Sequence, residues 1–149
     1  KIVAPSNPYD AKGLLKASIR DDDPVLYFEH KFLYRRIKGE VPDEDYVVPI
    51  GKSKVIREGN DITVITYSAM VHIALEAAGI LEGEGISTEI LDLRTLMPLD
   101  KEGIYNSVKK TSKVIILYET PKTGGIGGEI IGRSPIGSTE CSGDDATYS

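Results

Sequence analysis

Three apolar runs punctuate the second half of the chain, at residues 61–67, 87–93 and 113–118, and each predicts a strand. The runs lack polar alternation, which is typical of strands buried on both faces of a sheet. Between them lie two predicted helices, one capped by Ser68 and one begun by Asp100. This β-α-β-α-β order predicts a parallel sheet with helices on both faces.

The first of these two helices shows the clearest helical spacing. It is predicted to end at Gly83 and Gly85, because glycine favours the conformation that closes a helix. Its inner face would carry five apolar residues at intervals of three or four: Val71, Ala74, Leu75, Ala78 and Leu81. The second helix is predicted to extend to residue 110.

A third helix is predicted near the start of the chain, after a short strand at residues 2–5. Asn7 can cap it, Pro8 suits its first position, and Asp10 favours its first turn. Pro24 disfavours helical geometry in the residue before it, so the helix should end near residues 21–23.

The stretch between this helix and the regular second half is charged and irregular. Residues 25–28 predict a buried strand. Residues 29–46, broken by Gly39 and Pro42, predict a connector between domains, and residues 47–50 are expected to pair with a strand at its end.

Composition narrows the class of protein. The 149 residues carry 18 Lys and Arg against 23 Asp and Glu, a formal charge of −5, with 40% hydrophobic and 28% charged residues, which is a soluble globular balance. No apolar run reaches the roughly 20 residues of a membrane-spanning helix. An acidic chain is a poor candidate for nucleic-acid binding. One cysteine, Cys141, and two histidines, His30 and His72, argue against a disulfide framework or a zinc site.

Both ends of the chain are expected to be cut ends. The chain enters directly on a strand-like run without an initiator methionine. Residues 134–149 contain no Lys or Arg and are rich in Gly, Ser, Thr and Asp, which predicts a flexible or non-native tail.

The run Asp21, Asp22 and Asp23 is the first candidate for chemistry. It lies at the predicted C-terminus of the first helix, where the helix dipole disfavours negative charge and the last carbonyl groups lack partners. A hard cation held by carbonyl and carboxylate oxygens would remove both problems. The alternative is an ordinary acidic turn with all three side chains in solvent.

The glycine-rich stretch 123–128 is the second candidate. It could cradle a phosphate before a helix, but Ile130 stands where a dinucleotide-binding motif has its third glycine. A tight loop before a closely packed helix is the favoured interpretation. His72 and Glu76 suit a surface or interface hydrogen bond, and His30 suits a salt link or solvent exposure.

In addition to these candidate residues, the sequence as a whole resembles the beta subunits of thiamine-diphosphate-dependent 2-oxo acid dehydrogenases over residues 1–131. The likeness is nearly collinear and is carried by the following stretches: 1–15, 18–24, 28–35, 49–52, 61–67, 71–78, 84–87, 92–100 and 123–130. The stretch 29–31 and the stretch 38–42 look most like bacterial branched-chain members, with pyruvate-specific members as the alternative.

The resemblance implies a fold and a division of the chain. Residues 1–45 would end a transketolase-type pyrimidine-binding domain and form the connector. Residues 46–131 would form an incomplete transketolase C-terminal domain with a mainly parallel sheet, and 132–149 would be the tail. The intact enzyme would act in the bacterial cytoplasm, or in the mitochondrial matrix if eukaryotic.

The resemblance also implies an activity, cofactors and partners. The reaction would be oxidative decarboxylation of a branched-chain 2-oxo acid, with transfer of the acyl group to a lipoyl group. Thiamine diphosphate and its magnesium would be held by an alpha subunit, and further partners would be a second beta subunit and the lipoyl acyltransferase core. No catalytic or cofactor-binding residue is assigned to this chain, which is expected to be inactive alone.

The resemblance implies one metal site within this chain. Family members bind a structural potassium ion at a stretch that matches Ser18, Ile19, Asp21 and Asp23. Ser18 and Ile19 would supply carbonyl oxygens, and Asp21 and Asp23 side-chain or carbonyl oxygens. Two other interpretations stay open: a flavodoxin-like binding module with a ligand near residues 124–128, and a pure assembly element without chemistry.

Overall fold

The computed structural model describes residues 1–121 and 124–133. The helices are α1 (Pro8–Ile19), α2 (Met70–Gly83), α3 (Lys101–Thr111) and α4 (Gly127–Arg133), with a 3-10 helix at Lys31–Arg35. The strands are β1 (Ile2–Val3), β2 (Leu26–Tyr27), β3 (Lys54–Arg57), β4 (Ile62–Thr66), β5 (Thr88–Asp92), β6 (Thr95–Met97) and β7 (Val114–Ile116). Over those residues, no helix combines the length and apolar character that crossing a membrane requires.

A four-stranded sheet in the order β3-β5-β4-β7 forms the centre of the second half. Strands β4, β5 and β7 run parallel, as predicted, and β3 joins antiparallel to β5. Helix α2 covers one face, where Ala74 and Ala78 pack with Val64 and Ile90. Helices α3 and α4 cover the other face, with a core of Ile65, Leu91, Leu93, Ile104 and Ile130. The predicted α/β architecture is therefore confirmed.

A smaller sheet joins the first segment of the chain to the second. Its order is β2-β1-β6, with β1 parallel to β2 and antiparallel to β6. Beneath it Val3, Leu14 and Val48 form a separate buried cluster. Since β6 follows β5 after two residues, one stretch of chain takes part in both sheets.

Local capping signals predicted two helix starts correctly and one wrongly. The Asn7 side chain accepts the N–H of Asp10, and the Asp100 side chain accepts the N–H of Gly103. Ser68 does not cap α2: it has a positive φ of 54°, Ala69 precedes the helix instead, and no side chain caps it there. A tight turn out of β4 thus takes the place of the expected cap.

Two other expectations were wrong. The strand at residues 25–28 is not buried, because β2 is an edge strand whose Leu26 is 58% exposed, with the neighbouring Phe28 56% exposed. Residues 47–50 form no strand in the described part of the chain. Val48 instead inserts its side chain against Val3 and Leu14, so hydrophobic contact replaces strand pairing there.

Gly59 provides a direct test of the close packing between the turn before β4 and strand β5. A Cβ at this position would overlap main-chain atoms of Thr88 and Glu89. Backbone cannot rotate away as a side chain can, so Gly59→Ala should lower the free energy of unfolding by about 1–3 kcal/mol. Urea denaturation measures the loss.

Gly79 in α2 offers the matched control, because a Cβ there meets nothing within 4 Å. Gly79→Ala should raise the free energy of unfolding by about 0.5–1 kcal/mol through its helix propensity. A Gly59→Ala protein as stable as the parent would contradict the close approach.

Candidate functional site

Buried polar groups gather where the carboxyl end of β5 meets the start of α1. We call Ser6, Asp10, His72, Asp92 and Arg94 the junction cluster. Asp10 and Asp92 are 0% exposed, and the Ser6 hydroxyl donates to Asp92 Oδ2 over 2.5 Å. Buried charges need partners, so this cluster joins the first segment of the chain to the second through specific polar contacts.

Arg94 organises the cluster from a strained backbone position. Its φ of 54° lies in the left-handed region, and its N–H donates to Asp92 Oδ1 over 3.0 Å. The guanidinium donates from Nη1 to Asp10 Oδ1 over 3.2 Å and from Nε and Nη2 to the Lys52 carbonyl over 3.1 and 2.9 Å. A further bond reaches the Ser53 carbonyl over 3.2 Å. One side chain thereby fixes α1 and the start of β3 together.

The surroundings of Asp92 shift the pKa of its carboxyl toward neutral pH. Burial raises the pKa of its carboxyl to about 7, against the hydrogen bonds from Ser6 and from the Arg94 N–H, which lower it. Since the carboxyl is fully buried, no substrate atom reaches it in this arrangement. Its chemistry is to hold or release one proton inside the junction cluster.

His72 belongs to the same cluster, which the sequence did not predict. Its Nε2 lies 2.7 Å from the carbonyl oxygen of Ser6, so the ring faces the first segment. The expected partner Glu76 is therefore wrong, since His72 bonds to Ser6, whereas an interface position for this hydrogen bond agrees with the prediction. A residue on α2 thus supports the start of α1.

The residues predicted to bind a cation lie together at the C-terminal end of α1. Both carboxylate oxygens of Asp21 lie 2.7 Å from Lys1 Nζ, and Asp23 Oδ2 lies 3.3 Å from the same nitrogen. Lys1 lowers the pKa of Asp21 through this contact. The Ser18 hydroxyl donates to the Leu14 carbonyl over 2.7 Å. The two carboxylates therefore converge on one positive charge.

No group of three or more His, Cys, Asp and Glu side chains is arranged to hold a metal within residues 1–121 and 124–133. A cation at the end of α1 would accordingly depend on main-chain carbonyls besides the carboxylates of Asp21 and Asp23. These are the ligands that an alkali cation accepts.

A cavity of about 200 Å³ lies between the start of α1 and the connector. Its surface is largely apolar, and the following residues line it: Pro5, Ser6, Asn7, Pro8, Ala11, Glu29, His30, Leu33, Tyr34 and Ile37. His30 Nε2 lies 3.0 Å from Glu119 Oε2, which follows β7. The salt-linked interpretation of His30 agrees with this contact.

The glycine-rich stretch packs closely against the residues that follow β7. A Cβ at Gly125 or Gly127 would clash with the Tyr118 side chain, and Gly124 has a φ of +81°. This geometry agrees with a tight loop before α4, a helix of seven residues. Thr123, Cys141 and the predicted tail at residues 134–149 lie outside the described residues.

The sequence contains one local indication of the junction cluster, which the predicted strands and helices did not reveal. Asp92 directly follows the apolar residues Ile90 and Leu91 inside the strand predicted at residues 87–93, and Arg94 directly follows the end of that strand. Charged residues in such a run are rarely fully buried unless paired. Their partners Ser6 and Asp10 lie more than 80 positions away in sequence, so the pairing itself left no local signal.

Comparison with known proteins gives consistent matches. The family model for the transketolase C-terminal domain matches residues 51–134. The 2-oxoisovalerate dehydrogenase subunit beta of Bacillus subtilis (strain 168) is 62% identical over 130 residues, which are 87% of this chain and 40% of that protein. The pyruvate dehydrogenase E1 component subunit beta of the same organism is 52% identical over 131 residues, 88% of this chain and 40% of that protein.

A solved structure supports the same grouping. A split-gene transketolase in the form of an inactive β4 tetramer is similar with a TM-score of 0.74 and 28% sequence identity. The match covers 88% of this chain and 42% of that chain. The present chain therefore spans about 40% of the length of the curated relatives that it matches.

Proposed function

The chain belongs to the transketolase C-terminal domain family, and from that premise we propose that it is part of the beta subunit of a thiamine-diphosphate-dependent 2-oxo acid dehydrogenase. The observation that carries this proposal is the 62% identity to a 2-oxoisovalerate dehydrogenase subunit beta, maintained over 130 residues. The substrate would be a branched-chain 2-oxo acid. Pyruvate is the second candidate, because a pyruvate dehydrogenase subunit is 52% identical.

The proposed division of the chain has two parts: residues 1–45 end a pyrimidine-binding domain and form the connector, and residues 46–131 form an incomplete transketolase C-terminal domain. The family match beginning at residue 51 supports this boundary. The junction cluster would then lie between two domains. Its role would be to hold α1 in a fixed position on the second domain.

The described residues do not by themselves fit thiamine diphosphate or its magnesium. The two fully buried carboxyls, Asp10 and Asp92, are engaged by Arg94 and Ser6. Within the described ranges, no cluster of acidic and histidine side chains is arranged for a metal. We therefore assign the cofactor to other segments and to a partner alpha subunit, and derive no catalytic step through this chain. A second beta subunit and a lipoyl acyltransferase core complete the proposed assembly.

The test of this function uses the full-length subunit that contains the chain, purified together with its alpha partner. Decarboxylation of 2-oxoisovalerate, followed with an artificial electron acceptor, should exceed decarboxylation of pyruvate in kcat/KM. The subunit without its alpha partner should be inactive. Preference for pyruvate would transfer the assignment to the second candidate, and absence of decarboxylation of either acid would refute the proposal.

We propose in addition that Ser18, Ile19, Asp21 and Asp23 hold a potassium ion in that assembled enzyme. Support comes from the Asp21 and Asp23 carboxylates, which already converge on the single charge of Lys1 Nζ. The carbonyls of Ser18 and Ile19 lie in the last turn of α1, where helix carbonyls lack helical partners.

Potassium should therefore stabilise the assembled enzyme, by about 1.4 kcal/mol when its concentration is tenfold above Kd. Thermal unfolding in potassium chloride and in choline chloride at equal ionic strength measures this increment. Asp21→Asn should abolish the increment, whereas Asp22→Asn, which alters an exposed carboxylate next to it, should preserve it. An increment unchanged in Asp21→Asn would place the ion elsewhere.

A further inference from the structure

Four cations are concentrated in one short exposed segment of this acidic chain. Lys31, Arg35, Arg36 and Lys38 lie on or just after the 3-10 helix, and residues 31–38 contain no acidic residue. All four side chains are exposed. Within residues 1–121 and 124–133, none of the four forms an ion pair with a carboxylate. The segment is thus locally positive in a chain of formal charge −5.

In the second half of the same connector, the carboxylate of Asp45 forms ion pairs within the structure. Asp45 lies 2.8 Å from Lys16 Nζ and 2.9 Å from Arg20 Nη2, both on the outer face of α1 or at its end. Lys12 donates to the carbonyls of Pro42 and Glu44. Asp45 is therefore paired with cations within the structure, while the four cations of residues 31–38 have no carboxylate partner among the described residues.

Two aromatic rings lie among the exposed cations. Phe32 is 46% exposed and Tyr34 is 61% exposed. The Arg36 guanidinium stacks over the Phe32 ring at 3.9 Å, and the Tyr34 hydroxyl donates to Glu29 over 2.7 Å. These contacts restrict the motion of the side chains before anything binds. Exposed arginine, tyrosine and phenylalanine in such a preorganised group are typical of residues that dominate protein interfaces.

We propose that Lys31, Phe32, Tyr34, Arg35, Arg36 and Lys38, the basic patch, form a docking surface for an acidic segment of a partner protein. Carboxylates of the partner pair with the Arg35 and Arg36 guanidiniums, which suit bidentate bonds. An apolar side chain of the partner lies on Phe32 and Tyr34. The charge of −5 carried by the chain as a whole disfavours a long polyanion such as nucleic acid, and favours a short acidic peptide segment.

The experiment uses the full-length subunit and a fluorescein-labelled peptide in which glutamate and leucine alternate. Fluorescence polarisation should show binding at low salt that weakens as salt rises, because exposed charges are screened. The double variant Arg35→Glu, Arg36→Glu should weaken binding at least about tenfold. The matched double variant Lys101→Glu, Lys113→Glu makes the same change in net charge at exposed sites elsewhere and should change binding less than about twofold.

A third variant separates specific docking from attraction by charge alone. Phe32→Ser keeps every charge, and should weaken peptide binding while thermal unfolding confirms that the fold is intact. Absence of peptide binding at low salt, or equal losses in the two charge-reversal variants, would overturn the proposal. Tighter binding of a thymidine oligonucleotide or of phosphatidylglycerol vesicles than of the peptide would also overturn it.

Discussion

Replacing Arg94 by methionine is expected to lower the free energy of unfolding by about 3–5 kcal/mol, the usual cost of removing one partner of a buried ion pair. The variant retains the apolar stem of the side chain but loses all guanidinium donors. The Asp10 carboxylate, which is 0% exposed, then stays buried without its cation. The carbonyls of Lys52 and Ser53 lose their donors at the same time.

A double-mutant cycle isolates the contribution of the ion pair. Asp10→Asn in the Arg94→Met background removes the uncompensated charge, so the double variant should be more stable than Arg94→Met by more than about 1 kcal/mol. Guanidinium chloride denaturation of the two single variants and the double variant measures the coupling. Strictly additive losses would show that Asp10 and Arg94 do not depend on each other.

Asp92→Asn is expected to stabilise the protein at neutral and alkaline pH, by up to about 4 kcal/mol. The pKa of Asp92 is about 7 in the folded protein against 3.8 for an ordinary aspartate, and each unit corresponds to about 1.4 kcal/mol. Between pH 4 and 7 the unfolded chain releases this proton while the folded chain keeps it. Stability contributed by Asp92 is therefore greatest below pH 4 and is lost as the pH rises toward 7.

Asparagine resembles the protonated acid in shape and remains neutral. Its amide can accept from the Arg94 N–H and donate to the Ser6 hydroxyl, so both contacts survive. The difference in stability between variant and parent should grow from pH 4 to 7 and then level off. Asp43→Asn, at an exposed carboxylate, serves as the control and should show no such growth. A difference independent of pH from 4 to 7 would mean that folding does not raise the pKa of Asp92.

The elements that the sequence predicted well are those determined by neighbouring residues. The start of α1 followed from Asn7, Pro8 and Asp10, whose capping contacts span three positions. Strands β4 and β5 followed from continuous apolar runs, which burial on both faces requires. Strand β7 followed from a similar run, but its expected burial was wrong, because it is an edge strand in which Ile115 is 47% exposed. Strand β6 was missed because its three residues carry no periodic signal and pair with β1, far away in the chain.

One part of the candidate site could likewise be predicted from neighbouring residues, and the other part could not. The acidic turn after α1 was visible as a run of three aspartates, and the structure brings Asp21 and Asp23 to one ammonium group. The junction cluster was not visible, because each of its members has a common local explanation. His72 was expected to form a surface or interface hydrogen bond with Glu76, but in the structure it lies against Ser6 at the start of α1. Only the tertiary fold decides which buried polar residues meet.

The stretch from β5 to β6 links the local unfolding of one sheet to that of the other. The Leu93 N–H bonds to the Thr66 carbonyl in one sheet, and the next residue, Arg94, accepts the Ala4 N–H in the other, over 2.9 and 2.8 Å. Adjacent residues therefore bond to opposite sheets, so that opening of one sheet at this point disturbs the hydrogen bonds of the other. Amide hydrogens of Ala4 and Leu93 should exchange with solvent deuterium in a single cooperative event. Proteolytic cleavage in the connector would accordingly leave two pieces that stay associated rather than separate.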